Sequence, residues 1–194
     1  MHNQFIRDGR PLPMIIGLCG YVGSGKGALA DYLRSKGWSY YSTTDVIKEE
    51  LALHGLAVTR ANLIDMANSL RAEHGGGVLV ERILKRIPHG ANAIVESIRN
   101  PDEARALRAR DDFVLVAVEA PAEERLRRII ARGRAGDPAS VAELKALDAR
   151  ESFDTNKSGI QIKELVEMAD KVVINDGTLE RLHERVEIML ATLP

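Results

Sequence analysis

An α/β fold, in which a five-stranded parallel sheet is covered by helices on both faces to form a three-layer sandwich, is predicted by three observations. Short apolar runs alternate with amphipathic helical segments from residue 14 onward, the pattern of a parallel sheet buried on both sides. The first apolar run breaks into a glycine-rich loop that opens directly into a helix. Polar residues then gather at the carboxyl ends of the predicted strands, where open α/β sheets bind their ligands. The 194 residues suit one domain, with 45% hydrophobic and 28% charged residues as in ordinary globular chains. A net charge of −1 argues against a global nucleic-acid-binding field. Cys19 is the sole cysteine, which excludes an internal disulfide and fits a reducing compartment. No signal peptide or membrane span is read, and the expected location is cytoplasmic. Residues 1–13 form a polar, proline-containing arm, expected to be poorly ordered.

The loop follows the apolar strand Ile15-Ile16-Gly17-Leu18-Cys19 and reads Gly20-Tyr21-Val22-Gly23-Ser24-Gly25-Lys26-Gly27-Ala28. Glycines let backbone N–H groups converge on an anion with no Cβ in the way. The helix N-terminus adds partial positive charge, and Lys26 a full one. Strand, Gly-x-x-x-x-Gly-Lys and helix in this order form a P-loop, with Gly20, Gly23, Ser24, Gly25, Lys26, Gly27 and Ala28 as candidate ATP-binding residues. The competing reading, a glycine turn that binds nothing, is disfavoured because motif and context agree. The usual motif places after the lysine a Ser or Thr that ligates Mg²⁺, and here Gly27 stands there. No residue is therefore predicted to hold the metal directly. Mg²⁺ would accompany ATP on its phosphates and water, with Asp45 or Glu96 acting through water.

The remaining elements follow in order. A helix from Ala28 to Lys36 stops at Gly37, and Trp38 to Ser42 forms a second strand. Thr44 or Asp45 caps a helix through Leu51, a place either for a simple cap or for an anion. Residues 59–88 are helical, capped by Thr59 and broken at Gly75-Gly76-Gly77, which is either a hinge or a C-cap and linker. A third strand, Ala93 to Arg99, carries Glu96 and Arg99 at its polar end. Arg99 suits a phosphate, or else pairs on the surface with Asp102 or Glu103. Phe113 to Val118 is the fourth strand, and Pro121 falls in the first turn of a helix ending at Ala131. Arg132 and Arg134, in the Gly/Pro-rich loop 132–140, form either a mobile lid or an ordinary basic helix end. Helices cover Val141 to Glu151 and Ile160 to Met168. Lys171 to Asn175 is the fifth strand, and Thr178 caps a last helix from Leu179 to Leu193. Asn156-Lys157-Ser158 imitates a guanine-reading motif but lacks its aspartate, and as a glycosylation sequon it means little without a secretion signal.

These residues carry a resemblance. The loop Gly20 to Gly27, its helix and the segment Ser42-Thr43-Thr44-Asp45-Val46-Ile47-Lys48 are similar to the nucleoside monophosphate kinase group, whose fold is the P-loop NTPase sandwich. Adenylate kinases have Lys-Gly-Thr where Lys26-Gly27-Ala28 stands, and a Ser-Thr-Gly-Asp-x-x-Arg segment whose threonine and arginine contact the acceptor. Thr43 matches that threonine, and Lys48 replaces the arginine. Glu96-Ser97-Ile98-Arg99-Asn100-Pro101-Asp102-Glu103 and the turn Asn175-Asp176-Gly177 resemble phage deoxynucleoside monophosphate kinases and dephospho-CoA-kinase-like proteins. The resemblance spans roughly residues 14–193.

The resemblance implies a single kinase domain, with an acceptor-binding helical region at 45–90 and a lid at 132–140. It implies ATP-dependent phosphoryl transfer to a small phosphorylated acceptor, a (deoxy)nucleoside monophosphate or dephospho-CoA. Lys26, Arg99, Arg132, Arg134 and Asp45 are the candidate catalytic residues. Thr43, Asp45, Lys48, Arg71, Glu96 and Arg99 are the candidate acceptor-binding residues. The partners are small-molecule nucleotides, with neither nucleic acid nor membrane, in a monomer or homodimer. A rival of another class is a module that binds ATP without transferring phosphate, which the missing Ser/Thr after Lys26 favours.

Overall fold

The computed structural model describes residues 14–134, 136–152 and 159–193, together with a short antiparallel backbone pairing of Ile6–Arg7 with Arg10–Pro11. The rest of the N-terminal arm and the Asn156-Lys157-Ser158 stretch lie outside the described residues. The main sheet comprises β1 (Ile15–Cys19), β2 (Ser39–Ser42), β3 (Ala93–Glu96), β4 (Phe113–Glu119) and β5 (Lys171–Ile174). Their order is β2-β3-β1-β4-β5, and every neighbouring pair is parallel. The predicted five-stranded parallel sheet is therefore present, with β1 at its centre.

Strand periodicity builds the layers. Successive side chains on β1 point to opposite faces. Ile16 and Leu18 join Leu29 and Leu33 of α1 (Lys26–Ser35) and Leu182 and Val186 of α9 (Leu179–Ala191) in one core. Ile15 and Cys19 face the other way. They pack with α2 (Thr43–Leu53), α3 (Arg60–His74), α4 (Val78–Leu84), α5 (Pro101–Leu107) and α8 (Ile162–Glu167) in a second core. α6 (Ala122–Arg132) packs on α7 (Val141–Ser152).

Local chemistry explains several boundaries and corrects others. α1 begins at Lys26 rather than Ala28, because Gly25 takes the left-handed N-cap conformation. Ser42, not Thr44 or Asp45, caps α2, its hydroxyl accepting from the Thr44 N–H at 3.2 Å. Thr43, Thr44 and Asp45 thus lie inside the first turn. Thr59 caps α3 as predicted. β3 stops at Glu96 instead of reaching Arg99, because Ser97 turns to a φ of 64° and leaves the ladder. Pro121 occupies the N-cap of α6 rather than its first turn.

The triple glycine between α3 and α4 serves close packing. A Cβ on Gly76 would fall 2.3 Å from Asp102 Oδ2, and one on Gly77 2.8 Å from Ala106 Cβ, so the break presses against α5. Beside it, Glu103 is fully buried. Its Oε1 accepts from Arg71 at 2.7 and 3.2 Å, and its Oε2 from the N–H groups of Arg99 and Asn100 at 2.8 and 3.2 Å. One carboxylate therefore caps α5, ties α3 to it and fixes the chain that leaves β3. Glu103→Ala would remove the buried carboxylate that Arg71 and the Arg99 and Asn100 N–H groups share, and chemical denaturation should show a loss of about 2–4 kcal/mol.

Candidate functional site: a phosphate loop facing a cationic cleft

Backbone geometry makes the loop between β1 and α1. Gly20 and Gly25 hold φ values of 127° and 104°, which L-residues rarely adopt. Neighbours also forbid side chains there. A Cβ on Gly20 would lie 2.4 Å from the Val118 carbonyl oxygen, and one on Gly25 2.0 Å from Asn175 Nδ2.

Three side chains absent from the candidate site residues of the sequence tie this loop to the rest of the fold. Asn175, just past β5, donates from Nδ2 to Ser24 O at 2.9 Å. Arg128 reaches Asn175 O at 3.0 Å and Ser24 O at 3.4 Å. Arg125 donates to Val22 O at 3.1 Å, pairs with Asp148 of α7 and lies over the Tyr21 ring. The legible signal was the i, i+3 spacing of Arg125 and Arg128 on α6, which places both on one face. Asn175 was read as the end of the fifth strand and part of a family-like turn, not as a site residue; the strand stops at Ile174.

Lys26 folds back over the loop and donates to the carbonyl oxygens of Gly20 and Tyr21 at 2.7 and 2.9 Å. Burial holds its ammonium down to about 8. Arg99 pushes the same way, while Glu96 and Glu151 oppose. Cys19, one residue before the loop, is fully buried and donates weakly to Leu165 O at 3.6 Å. Burial pushes its thiol up to about 12, so it packs as an inert small hydrophobe.

A cleft of about 890 Å³ opens over the loop, within the range of small-molecule sites. Gly20, Gly23, Gly25, Lys26 and Gly27 line it on one side. Thr43, Asp45, Lys48, Arg71, Glu96 and Arg99 line it as well, together with Arg132 and Arg134. Ser24 and Ala28 do not. Ser24 is buried beneath the loop, and Ala28 packs against the α1–α9 core. Lys and Arg outnumber Asp and Glu along the cleft, so an overall net charge of −1 hides a local cationic field.

Several of these groups are already paired. Thr43 Oγ1 donates to Ser97 O at 2.8 Å, joining the start of α2 to the end of β3. Lys48 bonds Asp45 at 2.8 Å. Glu96 accepts from Tyr40 OH at 2.5 Å, and burial together with this contact raises the Tyr40 phenol. Arg71 is buried against Glu103 and shows the cleft little of its surface. Arg99 makes its ion pair with Glu151 of α7 at 3.6 Å, not with Asp102 or Glu103 as the surface alternative supposed. Arg132 grips Asp137 at 2.9 and 3.0 Å and holds that carboxyl below its usual range, which fastens the start of the 132–140 loop to its middle.

Among the described residues, no group of three or more His, Cys, Asp or Glu could hold a metal. A Cβ at Gly27 would meet nothing within 4 Å, so packing does not explain the missing hydroxyl. This donor set fits a cation carried on nucleotide phosphates rather than one ligated by a dedicated protein cage. Among the described residues, no helix is long and apolar enough to cross a membrane.

Sheet order, glycine loop and cleft define a protein of the P-loop kinase fold. Shikimate kinase from Bacteroides thetaiotaomicron, whose structure has a TM-score of 0.57 at 15% identity over 92% of this chain and 98% of that one, shares this fold. Residues 16–146 match the AAA domain family AAA_18. A UPF0200 protein of Hyperthermus butylicus is 32% identical over 93% of this chain and 95% of its own length. A UPF0200/UPF0201 protein of Archaeoglobus fulgidus is 35% identical over 92% of this chain, which spans 55% of that relative's length. The chain belongs to the AAA domain family and to the UPF0200 proteins.

The lowered Lys26 value sets a pH dependence. Below about pH 8 Lys26 is charged in the free protein, and a bound polyphosphate raises its pKa further. Binding therefore takes up a proton above that pH. The Kd for ATP should stay flat from about pH 7 to 8, where the ATP phosphates are already ionised, then weaken toward tenfold per unit, and calorimetry on Lys26→Met should show the slope above about pH 8 abolished.

Proposed function

We propose that this chain is an ATP-dependent phosphotransferase that moves the γ-phosphoryl group to a small phosphorylated acceptor, a (deoxy)nucleoside monophosphate. The observation that supports this best is the sharing of one cleft by the phosphate loop and a second set of cations, Arg99 and Lys48, beside the carboxylate of Glu96. In such transfers positioning and charge stabilisation supply most of the catalysis. Loop N–H groups and Lys26 hold the donor phosphates. The bond from the γ-phosphorus to the ADP oxygen breaks as the acceptor oxygen bonds to phosphorus. Arg99 and Lys48 orient the acceptor, with Arg71 supporting that wall from behind. Arg132 and Arg134 close over the transferring group and exclude water, which limits hydrolysis. Mg²⁺, arriving with ATP, would neutralise phosphate charge, and Asp45 and Glu96 are the carboxylates available to its water. The expected location is cytoplasmic.

A second reading within the same chemistry is dephospho-CoA kinase, in which a ribose hydroxyl is attacked. The carboxylates of Asp45 and Glu96 in the cleft favour it, because a hydroxyl nucleophile needs a proton acceptor and a phosphate oxygen does not.

ADP formation from MgATP against a panel of NMPs, dNMPs and dephospho-CoA, with a no-acceptor control, tests the proposal. Stimulation by one acceptor supports it, and ATP binding with flat rates supports a non-catalytic module instead. Lys26→Ala should reduce acceptor-stimulated ADP formation by at least about a thousandfold, in line with loss of a group bound to the transferring phosphates. Asp45→Asn should lower kcat about a hundredfold or more if a hydroxyl is attacked, and only a few-fold if a phosphate is.

A further inference from the structure

The cleft contains a buried carboxylate that none of these roles uses. Glu151, near the end of α7, is only 6% exposed yet lines the cleft. Its Oε1 lies 3.6 Å from Arg99 and 4.0 Å from Arg60. Its Oε2 is buried and has no hydrogen-bond partner among the described residues. Buried polar atoms are nearly always satisfied, and an ionised carboxylate can only accept. Oε2 is therefore an acceptor at the cleft wall that a ligand's donor would satisfy once the side chain turns toward the cleft.

The neighbours narrow that donor. Arg99 and Arg60 flank the other oxygen of the same carboxylate, and two guanidinium groups in a cationic cleft suit an anionic phosphate. Leu147, one turn back on α7, and Leu63 and Ile160 give the adjoining wall an apolar surface. A phosphate ester held by these arginines brings beside Glu151 whatever lies a few bonds from its phosphorus. In a nucleoside monophosphate that is the sugar, with an apolar carbon face and hydroxyl donors.

Resting on the reading of a phosphorylated acceptor, we propose that Glu151 reads the acceptor's sugar: Oε2 accepts a hydrogen bond from a ring hydroxyl, so the site prefers a ribose phosphate ester to its deoxy counterpart. Glu151 has a second effect through Oε1, holding Arg60 of α3 and Arg99 beside β3 toward the same point.

Calorimetric titration of AMP, GMP, CMP and UMP, and of their 2′- and 3′-deoxy counterparts, tests this on the full chain. Wild type should bind at least one ribonucleotide about ten- to a hundredfold more tightly than a deoxy counterpart, the worth of a hydrogen bond to a charged group. In Glu151→Ala the pair should fall within about threefold, while Glu151→Gln, whose amide oxygen still accepts, should retain part of the preference. Unchanged thermal midpoints show that both variants fold. Equal binding of ribose and deoxyribose forms by wild type, or a preference that survives in Glu151→Ala, overturns the proposal. So does a variant that changes only the Mg²⁺ requirement for ATP binding, since Oε2 would then serve metal-bound water. The parallel ADP assay separates the two ideas. Acceptor-stimulated ADP formation without sugar discrimination leaves the kinase and removes this role for Glu151. Discrimination without ADP formation keeps the role and removes the kinase.

Discussion

The loop between β1 and α1 must hold a backbone path that few residues can follow, and the rest of the fold is arranged around that constraint. Gly20 and Gly25 occupy backbone regions that side-chained residues avoid. A strained loop persists only when its surroundings over-determine it. Here β4 presses on Gly20 through the Val118 carbonyl, Asn175 closes on Gly25 from the end of β5, and Arg125 and Arg128 of α6 engage the loop carbonyls. Every one of these contacts joins the loop to an element at least 90 residues later in the chain. The sheet order with β1 at the centre lets β4, the end of β5 and α6 reach the same few atoms.

Electrostatics then divides the cleft. Cations gather on it although the whole chain is nearly neutral. Many of them are already held by carboxylates: Arg71 by Glu103, Arg99 by Glu151 and Arg132 by Asp137. Such pairs fix guanidinium orientation before any anion arrives, which is preorganisation in the physical sense. They also differ in how much they can change. The Arg71–Glu103 pair is buried and hydrogen-bonded to the α5 cap, so it belongs to the framework. The Arg132–Asp137 and Arg99–Glu151 pairs lie at the cleft, where a phosphate can compete for the arginine. Lys26, lying on its own loop carbonyls, is poised in the same way.

Opposite the loop the cleft has a second wall, drawn from α2, the turn after β3, α3 and the last turn of α7. Ser97 matters to its construction, because its left-handed turn ends β3 and its carbonyl receives Thr43. Glu151 closes the wall from α7 and brings Arg60 and Arg99 toward one another.

Amino-acid order alone determined the sheet, the loop and the caps of two helices. These depend on local chemistry: apolar runs of strand length, glycines before a lysine, and Thr59 and Thr178 at helix starts. That Glu96, Arg99, Lys48, Arg132 and Arg134 share one side of the fold was legible, because each sits at or soon after a strand end or a helix end in the sequence. Tertiary structure decided the rest. Asn175, Arg125 and Arg128 look like a turn residue and two helix-surface charges until β5 and α6 dock beside the loop. Glu103 looked like a partner for Arg99 on a helix surface, and burial gave it to Arg71 instead. Glu151 stands among ordinary helix residues in the sequence, and only the packing of α7 against the cleft buries its carboxylate and leaves one oxygen without a donor. A side chain's partner over a long separation is set by which elements share a layer. That is a property of the assembled sheet and its helices, which no short window of sequence encodes.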